Sequence, residues 1–214
     1  MYILTESSSL AHNFLAEIRD VDIQKDRAKF RRNMERIGEI MAYEISKHLH
    51  YEDKEVETEL GKKATKKLKD QPVLVTILRA GLPLHQGMLN YFDGADNAFI
   101  GAYRGIHDAK EDFDIEMDYI TSPDIQGKTL IICDPMIATG KSIEKAYHAM
   151  LRYGIPKKTY IVAAIASARG ARFVQARMPE CRLYLGDVDK ELNSKSYIVP
   201  GLGDAGDLSY GDKS

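Results

Sequence analysis

Residues Cys133 to Ser142 read CDPMIATGKS, and the Gly-Lys-Ser ending invites comparison with a nucleotide P-loop. That pattern requires a second glycine five positions before the Gly-Lys pair. The position is Pro135, which offers no N–H to a phosphate and restricts φ. A different phosphate-cradling turn is needed. Here an apolar strand, TLIIC, ends in the acid Asp134, a glycine-containing turn follows, and a helix then begins. Backbone N–H groups of residues 138 to 142 would converge at that helix's N-terminus, where the macrodipole also favours an anion. Thr139 and Ser142 could add hydroxyl donors, and Asp134 would face hydroxyl or cationic parts of the same ligand. A ribose 5-phosphate satisfies both ends.

The surrounding elements read as an α/β domain. Four short apolar runs, VLVTIL, TLIICD, TYIVAAIAS and CRLYLGDVD, alternate with helical stretches, which indicates a parallel sheet covered on both faces. Ligands of such sheets bind beyond the carboxyl ends of the strands. The turns Arg79-Ala80-Gly81 and Ile137-Ala138-Thr139-Gly140 both occupy that position. Upstream, Phe30, Met34, Ile37, Met41, Ile45 and Leu49 recur at steps of three or four, one stripe of an amphipathic helix. TELGKKATKKLKD is expected to be helical, with Lys62, Lys63, Lys66, Lys67 and Lys69 on a wet face. Residues 112 to 119 alternate acid and apolar, and are expected to form an edge strand or arm. The C-terminal YIVPGLGDAGDLSYGDKS is too glycine-rich for a regular element, and is expected to be a structured loop lying close to a ligand.

Bulk properties narrow the function further. With 214 residues, 44% of them apolar, the chain can build one large core. A net charge of −2 gives no overall attraction to nucleic acid or anionic membrane. No apolar run is long enough to span a bilayer, and the N-terminus lacks signal-peptide features. Cys133 and Cys181 suggest buried thiols rather than a disulfide framework, which fits a cytoplasmic protein. His48 and His50 lie two apart, so a helix would point them in different directions, away from a shared metal.

Three stretches carry a more specific resemblance. DPMIATG at 134 to 140 resembles the 5-phosphoribosyl-1-pyrophosphate (PRPP) loop of type I phosphoribosyltransferases, and of the uracil phosphoribosyltransferases in particular. ILRAGLP at 77 to 83 is similar to that family's pyrophosphate loop, and YIVPGLGDAGD at 197 to 207 to its uracil-binding hood. DRAKFRRNMERIGEIMAYE also looks like the family's helical extension.

The resemblance implies a type I phosphoribosyltransferase fold: a mostly parallel sheet flanked by helices, with a helical extension at 1–70, a core at 71–190 carrying an arm at about 101–124, and a hood at 191–214. It implies that uracil and PRPP become UMP and pyrophosphate, with Mg2+ held by substrate oxygens and water. Arg79 and Arg104 would hold the pyrophosphate. Asp134, Pro135, Met136, Ile137, Ala138, Thr139, Gly140, Lys141 and Ser142 would hold the ribose and its 5-phosphate. Backbone groups of Ile198, Gly203, Asp204 and Ala205 would read uracil, with Asp204 also facing PRPP and its magnesium shell. Asp134, Arg79 and Asp204 are the expected catalytic residues. A homodimer or larger homo-oligomer and a purine-nucleotide effector are further expectations; a membrane or nucleic-acid partner is not.

Two positions depart from the family pattern. Lys141 stands where a small or flexible residue is usual, and would be strained if the site needs a positive φ. Met117-Asp118-Tyr119-Ile120 replaces a Tyr-Tyr-x-Lys-Leu signature in the arm. Plainer readings compete: Arg79 as a strand-end cap, Arg104 as a surface cation, Asp134 as a helix-start acid. The alternative function is a regulator that senses UMP or PRPP and uses the lysines at 62 to 69 as a basic face for RNA or a partner.

Overall fold

The computed structural model describes the backbone of residues 1–104 and 115–213, and their side chains apart from 102–104 and 115–118. In chain order the elements are β1 (Tyr2–Ile3), α1 (Ala11–Arg19), α2 (Arg27–Ser46), β2 (Tyr51–Thr58), β3 (Gly61–Leu68), β4 (Val73–Leu78), α3 (Leu82–Leu89), β5 (Asp96–Arg104), β6 (Ile115–Thr121), β7 (Thr129–Cys133), β8 (Met136–Ile137), α4 (Lys141–Met150), β9 (Lys158–Ser167), α5 (Ala168–Arg177), β10 (Cys181–Asp189), β11 (Glu191–Leu192), β12 (Ile198–Val199) and α6 (Ala205–Tyr210). The main sheet runs β1-β10-β9-β7-β4-β5-β6, with β8 also pairing with β9. Every pairing in it is parallel except that of β5 with β6.

Alternation along the strands separates two cores. Leu74, Ile131, Cys133, Tyr160 and Val162 join the buried residues of α1, α2 and α3 on one face. Val73, Val75, Leu130, Ile132 and Ile161 join those of α4 and α5 on the other. The helix α2 buries Phe30, Met34, Ile37, Met41 and Ile45, the expected stripe. Asp26 starts it, its carboxylate accepting from the N–H groups of Ala28 and Lys29.

Residues 59 to 69 differ from expectation: they are not helical. Together with Tyr51–Thr58 they form the exposed β2–β3 hairpin, closed by the Thr58–Gly61 turn. Cross-strand pairing decides the matter. Register places Lys67 opposite Glu52, Lys66 opposite Asp53 and Lys62 opposite Glu57. Lys66 reaches Asp53 at 2.9 Å, and Lys62 reaches Glu55 at 2.9 Å. Lysines spaced three and four apart fit a helix face, but an acidic strand supplies them with partners only as a hairpin. The basic face proposed for a regulator is thereby interleaved with carboxylates.

The edge strand β6 pairs with β5 from Phe99–Thr121 to Arg104–Ile115. Of the acidic face expected at Asp112, Asp114, Glu116 and Asp118, the first two residues and the side chains of the last two lie outside what the structure describes. No helix among the described residues is long and apolar enough to cross a membrane.

Candidate active site

Strands β4 and β7 are parallel neighbours, with Thr76 in register with Cys133. Arg79 and Asp134 therefore leave the sheet at the same end. The turn after β7 is pinned to β9 and α5 by hydrogen bonds, most of them to its carbonyls. Pro135 O accepts from the N–H groups of Ala164 and Ile165, both at 3.1 Å, and Asp134 N donates to Val162 O at 3.1 Å. Ala138 O accepts from the Ser167 hydroxyl at 2.6 Å, and that hydroxyl accepts from Gly170 N at 2.8 Å. A side chain at Gly170 would overlap the carbonyls of Ile137 and Ala138.

Gly140 makes the last bend with φ +83° and starts α4. A methyl group there would sit 2.7 Å from a Phe173 ring carbon and 3.0 Å from a Val174 methyl. The positive φ and the crowding both select glycine. Lys141 is the first residue of α4, and it is not among the residues of positive φ, so the condition for backbone strain there is not met. The first turn of α4 leaves N–H groups without helical acceptors, next to the Thr139 and Ser142 hydroxyls. This is an anion cradle in form.

Asp134 enters the cradle as a partly buried carboxylate. Burial raises its pKa to about 7, opposed by a long contact from Met136 N at 3.5 Å. A carboxyl poised there exchanges its proton near neutrality.

The C-terminal segment is folded, and more regular than its glycine content suggests. It contains the β11–β12 pair and the short helix α6. Asp204 is the reason α6 forms: its Oδ1 accepts from Gly206 N at 2.8 Å and Asp207 N at 3.0 Å. Burial pushes the Asp204 carboxyl upward, but the Asp207 N–H, Lys213 and the Gly206 N–H outweigh it, holding the pKa below the usual range. Arg19 ties the segment to the sheet, donating to Gly201 O at 2.9 Å while pairing with Asp189 at 2.7 Å and Asp187 at 2.9 Å. Arg31 donates to Ser209 O at 2.7 Å. Ile198 and Ala205 are buried, Asp204 is half-buried and Gly203 is exposed.

One contact joins the two halves of the site. Arg79 Nη2 donates to Asp207 Oδ1 at 2.8 Å and to Gly211 O at 2.7 Å. The tail thus lies over the turn that follows β4. The family model of uracil phosphoribosyltransferase matches residues 5–211 of the chain. The chain belongs to this family. A uracil phosphoribosyltransferase from Porphyromonas gingivalis is 52% identical over 206 residues, covering 96% of this chain and 95% of that protein. One from Pyrococcus furiosus is 38% identical over 210 residues, covering 97% and 88%. Among solved structures, the AQ2163 protein of Aquifex aeolicus superposes with a TM-score of 0.85 at 33% identity, covering 96% of both chains. The purine phosphoribosyltransferase of Pyrococcus horikoshii shares the fold, with a TM-score of 0.51 at 14% identity.

Against the family's three loops, the residues expected from sequence divide as follows. Arg79, the 134–142 turn and the hood lie on elements that meet at one end of the sheet, as described. Arg104 ends β5 and pairs through its backbone with Ile115; its side chain lies outside the described residues. Several supporting residues escaped the sequence reading: Asp207, Gly211, Lys213, Ser167, Gly170 and Arg19. Asp207 stood inside the quoted hood motif, but its partner Arg79 is 128 positions away, and no local signal connects them. Ser167 ends an apolar run and looked like a strand residue. Among the described residues no group of three or more His, Cys, Asp or Glu side chains could hold a metal by itself.

Proposed function

We propose that the chain transfers the 5-phosphoribosyl group of PRPP to uracil, giving UMP and pyrophosphate in cytoplasmic pyrimidine salvage. The observation that carries this reading is the Arg79–Asp207 contact, which brings the hood onto the pyrophosphate loop. Membership of the family supports the same reaction.

In the reaction a ring nitrogen of uracil bonds to C1′ of the ribose and releases its proton to water, as the bond from C1′ to the pyrophosphate oxygen breaks and the pyrophosphate leaves with that bond's electron pair. Positive charge grows on the ribose ring and negative charge on the leaving group. The chain's task is to position the reactants and to stabilise that separation. Arg79, with Arg104, takes the pyrophosphate, since a guanidinium keeps its charge and presents several N–H donors to phosphate oxygens. The 138–142 backbone and the Thr139 and Ser142 hydroxyls take the 5-phosphate. Ionised Asp134 accepts from ribose hydroxyls and opposes the positive charge of the ring. Backbone groups of Ile198, Gly203, Asp204 and Ala205 read the edges of uracil.

Magnesium fits this donor set only indirectly. Asp204 Oδ1 already accepts two N–H groups and Oδ2 pairs with Lys213 at 3.0 Å, so the ion would be reached through water and substrate oxygens. When bound, it supplies charge neutralisation on the pyrophosphate. Buried, unpaired Cys133 and Cys181 suit a reducing compartment.

Lys141 adds its ammonium to the phosphate end. Lys141→Gly is expected to raise the KM for PRPP about threefold to tenfold, with little change in the KM for uracil; an unchanged or lower PRPP value removes the role.

The decisive assay mixes the protein with labelled uracil, PRPP and Mg2+ and follows UMP. Formation of UMP at enzymatic rates is expected. No UMP, together with retained tight UMP binding, would overturn catalysis in favour of a sensor.

A further inference from the structure

Arg79 carries five N–H donors in a plane. The hood takes both protons of Nη2, one through Asp207 Oδ1 at 2.8 Å and one through Gly211 O at 2.7 Å. Among the described residues Nε and Nη1 have no hydrogen-bond partner. Nη2 lies between the other two donors: Nε–H points to the side of Gly206, and Nη1, with both protons free, points to the other side. Asp207 is itself held firmly. Its N–H is bound by Asp204 Oδ1 at 3.0 Å, and α6 packs against the Arg79 and Ala80 side chains, where a methyl group at Gly206 would be 3.7 Å from both Ala80 Cβ and Arg79 Nε. Lys213 Nζ lies 3.0 Å from Asp204 Oδ2 and 3.9 Å from Asp207 Oδ1, offsetting the repulsion between the two carboxylates.

The Arg79 and Asp207 side chains are 37% and 30% exposed. A pair that open to solvent contributes little to stability. Its geometric effect is larger. An arginine at a strand end otherwise samples many rotamers, and fixing one before the ligand arrives lowers the entropy lost on binding.

We propose that Asp207 is a positioning residue for the transfer reaction: it orients Arg79 so that Nη1, with both protons free, meets the pyrophosphate, and it acts on pyrophosphate-bearing ligands only. This rests on the function proposed above and adds a residue to it. Asp207 touches neither substrate; it acts through Arg79.

The test compares the wild-type chain with Asp207→Asn and Asp207→Glu. Titration calorimetry with magnesium pyrophosphate and with UMP is run beside steady-state kinetics and a thermal melt. Asp207→Asn is expected to weaken pyrophosphate binding and raise the KM for PRPP, each about tenfold. UMP, which lacks the pyrophosphate, is expected to change less than twofold, and Tm by no more than a few degrees. Glutamate at 207 restores most of the pyrophosphate affinity. Unchanged pyrophosphate affinity overturns the proposal, and so does equal weakening of UMP, which would mean the hood has merely loosened. A wild-type chain that makes no UMP while Asp207→Asn still selectively weakens pyrophosphate would instead overturn the enzymatic reading and leave the Arg79–Asp207 role standing.

Discussion

Arg79→Ala is expected to reduce kcat/KM for PRPP between a hundredfold and a thousandfold, the usual cost of removing a donor from a site where transition-state charge collects. Two consequences combine. The leaving pyrophosphate loses a cationic donor, and Asp207 and the Gly211 carbonyl lose their donor, which frees the hood. The KM for uracil is therefore expected to rise as well, although Arg79 does not read the base. Stability should barely move, because the Arg79–Asp207 pair is about one-third exposed. Arg79→Lys restores charge without the planar fork and should recover only part of the rate. The measurement is a two-substrate initial-rate matrix with a thermal melt as the folding control. An alanine variant within threefold of wild type would remove Arg79 from the mechanism.

The second large effect separates function from stability. Asp134→Asn is expected to lower kcat/KM for PRPP at least a hundredfold, since an amide cannot offset the positive charge of the ribosyl transition state. The same change is expected to stabilise the fold at neutral pH. In the folded chain the Asp134 pKa is raised by burial to about 7, above the value of about 4 that a carboxyl has when unfolded. The folded state therefore holds this proton more tightly. From this group, stability is lost as pH rises from about 4, and the full penalty is present above about 7. A shift of that size corresponds to about 4 kcal/mol. Asp134→Asn should melt about 10 °C higher at pH 8, with the gain shrinking to nothing below about pH 4. In the wild-type chain, kcat/KM for PRPP should climb with pH and level off above an apparent pKa near 7, as Asp134 ionises. A flat profile from pH 6 to pH 8, or a variant no more stable than wild type at pH 8, would contradict the assignment.

How far the residues speak for themselves varies along the chain. The α2 stripe from Phe30 to Ile45 is legible because every fourth or third residue is apolar, and only one local structure puts such residues on one side. The strand–acid–turn–helix order of TLIICDPMIATGKS is legible for a similar reason. Each step has its own local cause: β-branched residues, then proline, then a glycine at φ +83°. Residues 59 to 69 are the contrary case. Lysines at 62, 63, 66 and 67 satisfy a helical spacing as well as a strand spacing. The tie is broken by Asp53 and Glu55, on a strand that reaches them only after the turn at Gly61 has formed. At the C-terminus, glycine content argued against a regular element, yet one side chain, Asp204, caps and starts α6.

Residue order alone therefore settled the layer architecture, the α2 stripe and the strand–turn–helix order around residues 134 to 142, because all of these follow from contacts within a few residues. Tertiary structure decided which cation meets which carboxylate, how deeply Asp134 is buried, and where the tail comes to rest. Those outcomes depend on groups as far apart as Arg79 and Asp207, and on the local dielectric around Asp134. Neither property exists until the sheet and the hood have closed around the site.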